Sequence, residues 1–124
     1  MSDSLLLYIG AALPFLWGVA HLFPIANVVK GFGEINADNK NIITMEWIVE
    51  GVSLIFIGFL VAGVTIIDAT SKAAGVVYLS SAGILIILAV VSLFTGFKVN
   101  FLPFKLCPLL FTLSAVLILL GYKA

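Results

Sequence analysis

Residues 42–67 read IITMEWIVEGVSLIFIGFLVAGVTII, an apolar run whose only charged side chains are Glu46 and Glu50. A helix needs about 20 apolar residues to cross a hydrocarbon core of about 30 Å. The run is long enough for this and apolar almost all round, which a surface helix of a soluble protein is not. It therefore predicts a membrane-spanning helix with two carboxylates near its start. Carboxylates at that position need polar or cationic partners.

Three further apolar stretches of similar length accompany this run. We predict helices at about residues 5–29, 42–67, 73–97 and 101–122. Lipid offers no water to unpaired backbone groups, so each stretch spans as a helix. Short polar connections at 68–72 and 98–100 predict antiparallel neighbours, whereas residues 30–41 form the one substantial polar loop. The predicted fold class is all-α: an integral membrane four-helix bundle with antiparallel up-down topology, in a single membrane domain.

The composition supports a bilayer as the main partner. The chain is 63% hydrophobic and 10% charged, against roughly 45–50% and 25% in soluble domains. It has no arginine and a formal net charge of zero, which excludes the basic surface of a nucleic-acid-binding protein. Cys107 is the only cysteine, which excludes a disulfide or a cysteine-based metal cluster within one chain.

The lysines give an orientation. The loops on one side carry Lys30, Lys40, Lys98 and Lys105, and the other side carries Lys72 and Lys123. The positive-inside rule then places the long polar loop in the cytoplasm. The first apolar run is longer than a signal-peptide core and is interpreted as a retained membrane helix.

His21 and Glu50 are predicted to meet inside the membrane. If the first helix ends near residue 29, His21 lies eight residues in, or about 12 Å. Glu50 lies eight residues after the predicted start of the second helix. Neighbouring antiparallel helices would bring the two side chains together, because ionisable groups in membranes pair with one another. We predict a cleft there, with Glu46 and Asn27 at its mouth and Trp17 beside His21.

Plainer interpretations of the same residues stay open. Glu46 would also suit the headgroup region, where the helix dipole favours a carboxylate in the first turn. His21 would serve equally as a structural clasp, because hydrogen bonds between membrane helices also support packing. Trp47 is typical of an interfacial anchor. The His21 and Glu50 pair would be either two ions or a neutral couple sharing one proton.

The chemistry of this cleft favours a lipophilic ligand over a metal. A single histidine lacks the repeated Glu-x-x-His motifs of di-iron bundles, and we predict no metal site. A haem held by His21 would need a weak or external second ligand. Trp17 and Trp47, beside His21 and the two glutamates, would line a pocket for a flat lipophilic molecule such as a quinone or a sterol. We therefore predict these residues, with Asn27, as ligand-binding.

Small residues indicate where helices approach closely, among them Gly18 on the first helix and Gly51 and Gly58 on the second. The last helix has bulky aliphatic side chains almost all round and is expected to face lipid.

Two segments resemble a known family. EGVSLIFIGFLVAG, residues 50–63, resembles the second helix of the DoxX-like small four-helix bacterial membrane proteins, and WGVAHLFP, residues 17–24, is similar to their first. The chain lacks an arginine near the start of the first helix that the family carries. The resemblance implies a multi-pass protein of the bacterial inner (plasma) membrane, in some relatives a subunit attached to quinone-linked or sulfur redox enzymes. It assigns no catalytic residue.

The function that the sequence favours is non-enzymatic. We expect a small subunit or lipophilic-ligand-binding module of a larger membrane assembly, with other membrane subunits or further copies of the chain as partners. One alternative is a membrane enzyme in which His21 and Glu50 form an acid-base pair, with Glu46 as a further candidate. Another is a proton pathway through the same residues.

Overall fold

The computed structural model describes residues 3–123, and the regular structure of that part of the chain is entirely helical. Its elements are α1 (Asp3–Leu22), α2 (Ile25–Gly31), α3 (Ala37–Asp68), α4 (Lys72–Phe94), a 3₁₀ turn (Gly96–Lys98) and α5 (Leu102–Lys123). The helices α1, α3 and α5, and α4 with the turn after it, are each long and apolar enough to cross a bilayer. The predicted all-α four-helix bundle is confirmed, and the protein is a multi-pass membrane protein.

The four long helices form a closed ring. α1 packs against α3 and α5, while α4 packs against α5 and, less extensively, against α3. The interior is filled by apolar side chains, among them the fully buried Leu54, Val61, Leu85, Phe111 and Ile118. The prediction that the last helix faces lipid is wrong, because α5 contributes Phe111 and Ile118 to this core.

Glycines hold α1 directly against α3. A Cβ atom on Gly18 would lie 2.6 Å from the carbonyl oxygen of Gly51, and one on Gly58 would lie 2.5 Å from that of Ala11. The two backbones therefore touch where only hydrogen fits, as small residues allow between membrane helices. This confirms the predicted close approach at these glycines and fixes the register of the two helices.

The first predicted helix, at 5–29, is wrong as a single element. The helix ends at Leu22, and a short second helix, α2, begins at Ile25. Pro24 explains the break, because it has no N–H to donate to the carbonyl of Ala20 and its ring disfavours a helical residue before it.

The predicted polar loop at 30–41 is too long. α3 begins at Ala37, five residues before the predicted start, because the side chain of Asn36 caps it by accepting from the N–H of Asn39 at 2.8 Å. The loop between α2 and α3 is thus residues 32–36, with Gly33 at a positive φ of 74°. The helix predicted at 73–97 corresponds to α4, which ends earlier than predicted, at Phe94. The 3₁₀ turn follows it.

These boundaries leave α3 much longer than its partner. α1 has 20 residues and α3 has 32, which correspond to about 30 Å and 48 Å. The glycine register pairs α1 with the C-terminal part of α3, so the first turns of α3 extend beyond the end of α1. α2 packs against this part of α3, and the candidate site lies where α1 ends.

Ser114 supplies a buried hydrogen bond between α5 and α1. Its hydroxyl is fully buried and donates to the carbonyl of Gly10 at 2.6 Å. We expect Ser114→Ala to lower the free energy of unfolding by about 0.6–1.7 kcal/mol, the range for hydrogen bonds between membrane helices. Unfolding in mixed micelles would measure this. Ser80→Ala is the matched control, because that exposed hydroxyl bonds only within its own helix. Equal effects of the two substitutions would contradict the prediction.

Candidate functional site

A cavity of about 1050 Å³ lies at the end of the bundle where α1 stops. Its volume is at the upper end of the range for small-molecule sites, about 300–1,000 Å³. The sequence predicted a cleft between the first two helices, and α4 and α5 also contribute walls. The lining includes all six residues predicted to bind a ligand: Trp17, His21, Asn27, Glu46, Trp47 and Glu50.

His21 and Glu50 are brought together at this cavity. The Nε2 atom of His21 lies 3.3 Å from Oε2 of Glu50, and the side chains are 8% and 44% exposed. The carboxylate is within ion-pair distance but is not aligned for a hydrogen bond. The buried Nε2 has no hydrogen-bond partner among residues 3–123. An unpaired buried polar atom of this kind costs free energy, and the residue that carries it lines the cavity.

The reason for this contact differs from the predicted one. His21 lies in the last turn of α1 rather than two turns inside a longer helix, and Glu50 follows the start of α3 by 13 residues. The contact arises because Gly18 packs against Gly51, the residue after Glu50. His21 is about 27 Å along α1 from Asp3 at 1.5 Å per residue. In a hydrocarbon core of about 30 Å that began at Asp3, the site would lie near the far boundary.

Trp47 fixes the position of His21. Its indole stacks on the imidazole with ring centroids 4.0 Å apart and an interplanar angle of 12°. Its Nε1–H donates to the backbone carbonyl of His21. The break at Pro24 explains why that carbonyl needs a donor, since the last carbonyls of a helix have no partner within it. The edge of Phe104 packs on the same indole, at 5.6 Å between centroids. Trp47 is thus part of the site wall, and the prediction that it also anchors α3 at the membrane interface stays a prediction.

The other predicted residues occupy different parts of the cavity. Trp17 lines it and also packs against the bundle core. Glu46 lies one turn before Glu50 on α3, and both Glu46 and Asn27 are exposed. Lys105, near the start of α5, does not pair with the carboxylates. Its Nζ donates to the carbonyl of Phe97 at 2.8 Å and lies 4.9 Å from the centre of that ring.

Sequence reasoning missed the walls from α4 and α5. These include Leu88, Ser92, Thr95, Phe104 and Cys107. Ser92 and Thr95 lie three residues apart at the end of an apolar helix, so they share a face, and that spacing was the available indication. The side chain of Cys107 is almost fully buried and donates weakly to the carbonyl of Pro103 at 3.4 Å. Within residues 3–123, no three His, Cys, Asp or Glu side chains converge as a metal-binding group.

Comparison of the chain with models of known protein families, with curated proteins and with solved structures gives no match.

Proposed function

We propose that the protein is a non-enzymatic membrane module that binds a lipophilic small molecule in this cavity, as a small subunit of a larger membrane assembly. The observation that carries the proposal is the cavity of about 1050 Å³, with the buried imidazole of His21 and the partly exposed carboxylate of Glu50 side by side on its wall. A ligand's polar group would bind at this pair. The free energy gained there adds to that of burying the ligand's apolar surface.

The distribution of side chains supports an amphiphilic ligand. Leu54, Leu88 and Phe104 provide apolar walls, whereas His21 and Glu50 provide charge and hydrogen bonding. Small-molecule sites combine apolar walls with a few placed polar groups in this way. The level of the site, near the boundary of the hydrocarbon region, would place the ligand's polar group toward the headgroups and its body among the helices. A quinone is one molecule of this general kind.

The subunit role rests on how little of the chain lies outside the helices. The loop at 32–36 joins the short helix α2 to α3, and the turn between α3 and α4 is residues 69–71. Contacts with other subunits or with further copies of the chain would therefore run through the lateral faces of the helices. The resemblance to DoxX-like proteins supports the same role and the bacterial inner membrane as its place.

Purification in a mild detergent tests both parts of this proposal. We expect organic extraction and mass spectrometry to recover a lipophilic compound in near-stoichiometric amount from the wild-type protein. His21→Ala should deplete it at least about tenfold, since the imidazole that forms this part of the cavity wall and supports Trp47 is lost. Glu34→Gln, which changes an exposed loop carboxylate outside the cavity lining, should retain it. Native mass spectrometry should show partner subunits or further copies; a bare monomer without ligand would overturn the proposal.

The acid-base alternative has one observation in its favour, the 3.3 Å separation of His21 Nε2 and Glu50 Oε2. Proton exchange between the pair requires this proximity. As an enzyme, the protein would convert the retained compound, and His21→Ala and Glu50→Gln would each abolish conversion while leaving the fold intact. A proton pathway has less support, because fully buried Val61, Leu85 and Phe111 fill the bundle beyond the cavity.

A further inference from the structure

The charge of the cavity restricts its ligand. Its lining contains two carboxylates, Glu46 and Glu50, one imidazole, His21, and the thiol of Cys107. In the part of the chain that the structure describes, no lysine lines it. With both carboxylates ionised, the site carries net negative charge whether the imidazole is neutral or protonated. An anionic headgroup would be repelled in both states, and a cation would be attracted.

The lysines at the same end of the bundle do not cancel this charge. Lys105 is held at the carbonyl and ring of Phe97. Lys30, Lys40 and Lys98 are exposed and lie outside the cavity lining. The side chain of Glu46 makes no ion pair or hydrogen bond with another group in residues 3–123. Only solvent or a ligand can therefore compensate its charge. Two carboxylates one turn apart on α3 therefore face a space without a protein cation.

The pair of His21 and Glu50 indicates where the ligand's polar group would bind. The Nε2 atom of His21 is buried and lies 3.3 Å from Oε2 of Glu50, whereas the side chain of Glu50 is 44% exposed. An ammonium group would therefore reach the carboxylate and not the imidazole nitrogen. Aromatic rings of Trp17, Phe101 and Phe104 line the same space, and cations associate favourably with such rings. Carboxylates and rings thus both favour a cationic group.

We propose, building on ligand binding in this cavity, that the ligand is a lipophilic amine. Its ammonium group is bound by the carboxylate of Glu50, with Glu46 contributing to the attraction, and its apolar body lies against Trp17, Leu88 and Phe104. The proposal specifies the headgroup and adds the requirement that neutral and anionic molecules of the same shape bind less well.

The native tryptophans report occupancy directly. The chain has two, Trp17 and Trp47, and both line the cavity. Bromine quenches indole fluorescence on contact, so a dibrominated dodecyl chain is a suitable probe. We would titrate three versions of it, with an ammonium, a hydroxyl or a sulfate head, into the protein in phosphatidylcholine nanodiscs. Each titration would be repeated with Glu50→Gln and with Glu34→Gln, which has the same chemical change outside the cavity.

The ammonium probe should quench at a concentration roughly tenfold lower than the hydroxyl probe, the effect of one partly screened carboxylate. Glu50→Gln should remove this advantage, and Glu34→Gln should retain it. Hydroxyl binding that is unchanged in Glu50→Gln shows that the variant is folded. If the hydroxyl or sulfate probe binds as tightly as the ammonium, the amine proposal is overturned while ligand binding stands. If no probe quenches the wild-type protein in a saturable manner, both proposals fail.

Discussion

Gly58→Ala is expected to lower the free energy of unfolding by roughly 2–3 kcal/mol, the upper part of the range for overpacking. The new Cβ atom would lie 2.5 Å from the carbonyl oxygen of Ala11 and 3.0 Å from the amide nitrogen of Phe15. Both contacts are with backbone, which cannot rotate away, so α1 and α3 would have to separate. The helix propensity gained by alanine, about 1 kcal/mol, does not compensate.

Gly63→Ala on the same helix is the matched control. A Cβ atom there meets nothing within 4 Å, so only the propensity term remains and stability should be unchanged or rise by up to about 1 kcal/mol. Denaturant unfolding in mixed micelles, followed by circular dichroism, would measure both variants. Loss of stability at both positions, or at neither, would show that the glycine contact does not determine how α1 packs on α3.

Ser92→Phe is expected to abolish ligand binding by filling the cavity. Ser92 lies on the α4 wall of the cavity, and its hydroxyl bonds only to the carbonyl of Ala89 in its own helix. A phenylalanine ring would occupy space now available to the ligand's apolar body. We expect affinity for the tightest dodecyl probe to fall by about thirtyfold or more, the effect of losing a central contact of at least about 2 kcal/mol.

Ser80→Phe makes the same chemical change on an exposed face of α4 outside the cavity lining. It should leave tryptophan quenching by the probe unchanged. Unfolding measurements on both variants would separate a blocked cavity from a damaged fold. Normal probe binding in a folded Ser92→Phe protein would mean that the ligand does not use this cavity.

The number and class of the helices could be predicted from the sequence because bilayer thickness sets a length that apolar runs either meet or do not. The glycines of the α1 and α3 contact were also predictable, since only small residues let membrane helices touch. The contact of His21 with Glu50 was predicted, although the equal distances from the helix ends that suggested it were wrong. An apolar run shows where a helix fits and does not show where a proline ends it.

The remaining features depend on contacts that a single sequence does not contain. Nothing local indicates that Trp47 would donate to the carbonyl left free by the break at Pro24. The position of α5 was missed for a related reason: in a chain this apolar, Phe111 facing the core and a leucine facing lipid have the same hydropathy. The cavity walls from α4 and α5 follow from that packing and were therefore not predictable.

The loose contact between α3 and α4 has a consequence for how the site fills. These helices are joined by a tight turn at residues 69–71, at the opposite end of the bundle from the cavity, and they pack less extensively than the other neighbouring pairs. Val49 and Val91, one from each helix, line the cavity and are each 53% exposed. A ligand dissolved among the acyl chains of one leaflet would therefore enter laterally, between α3 and α4. Its occupancy would follow its mole fraction in the lipid, and washing with water alone would not empty the protein.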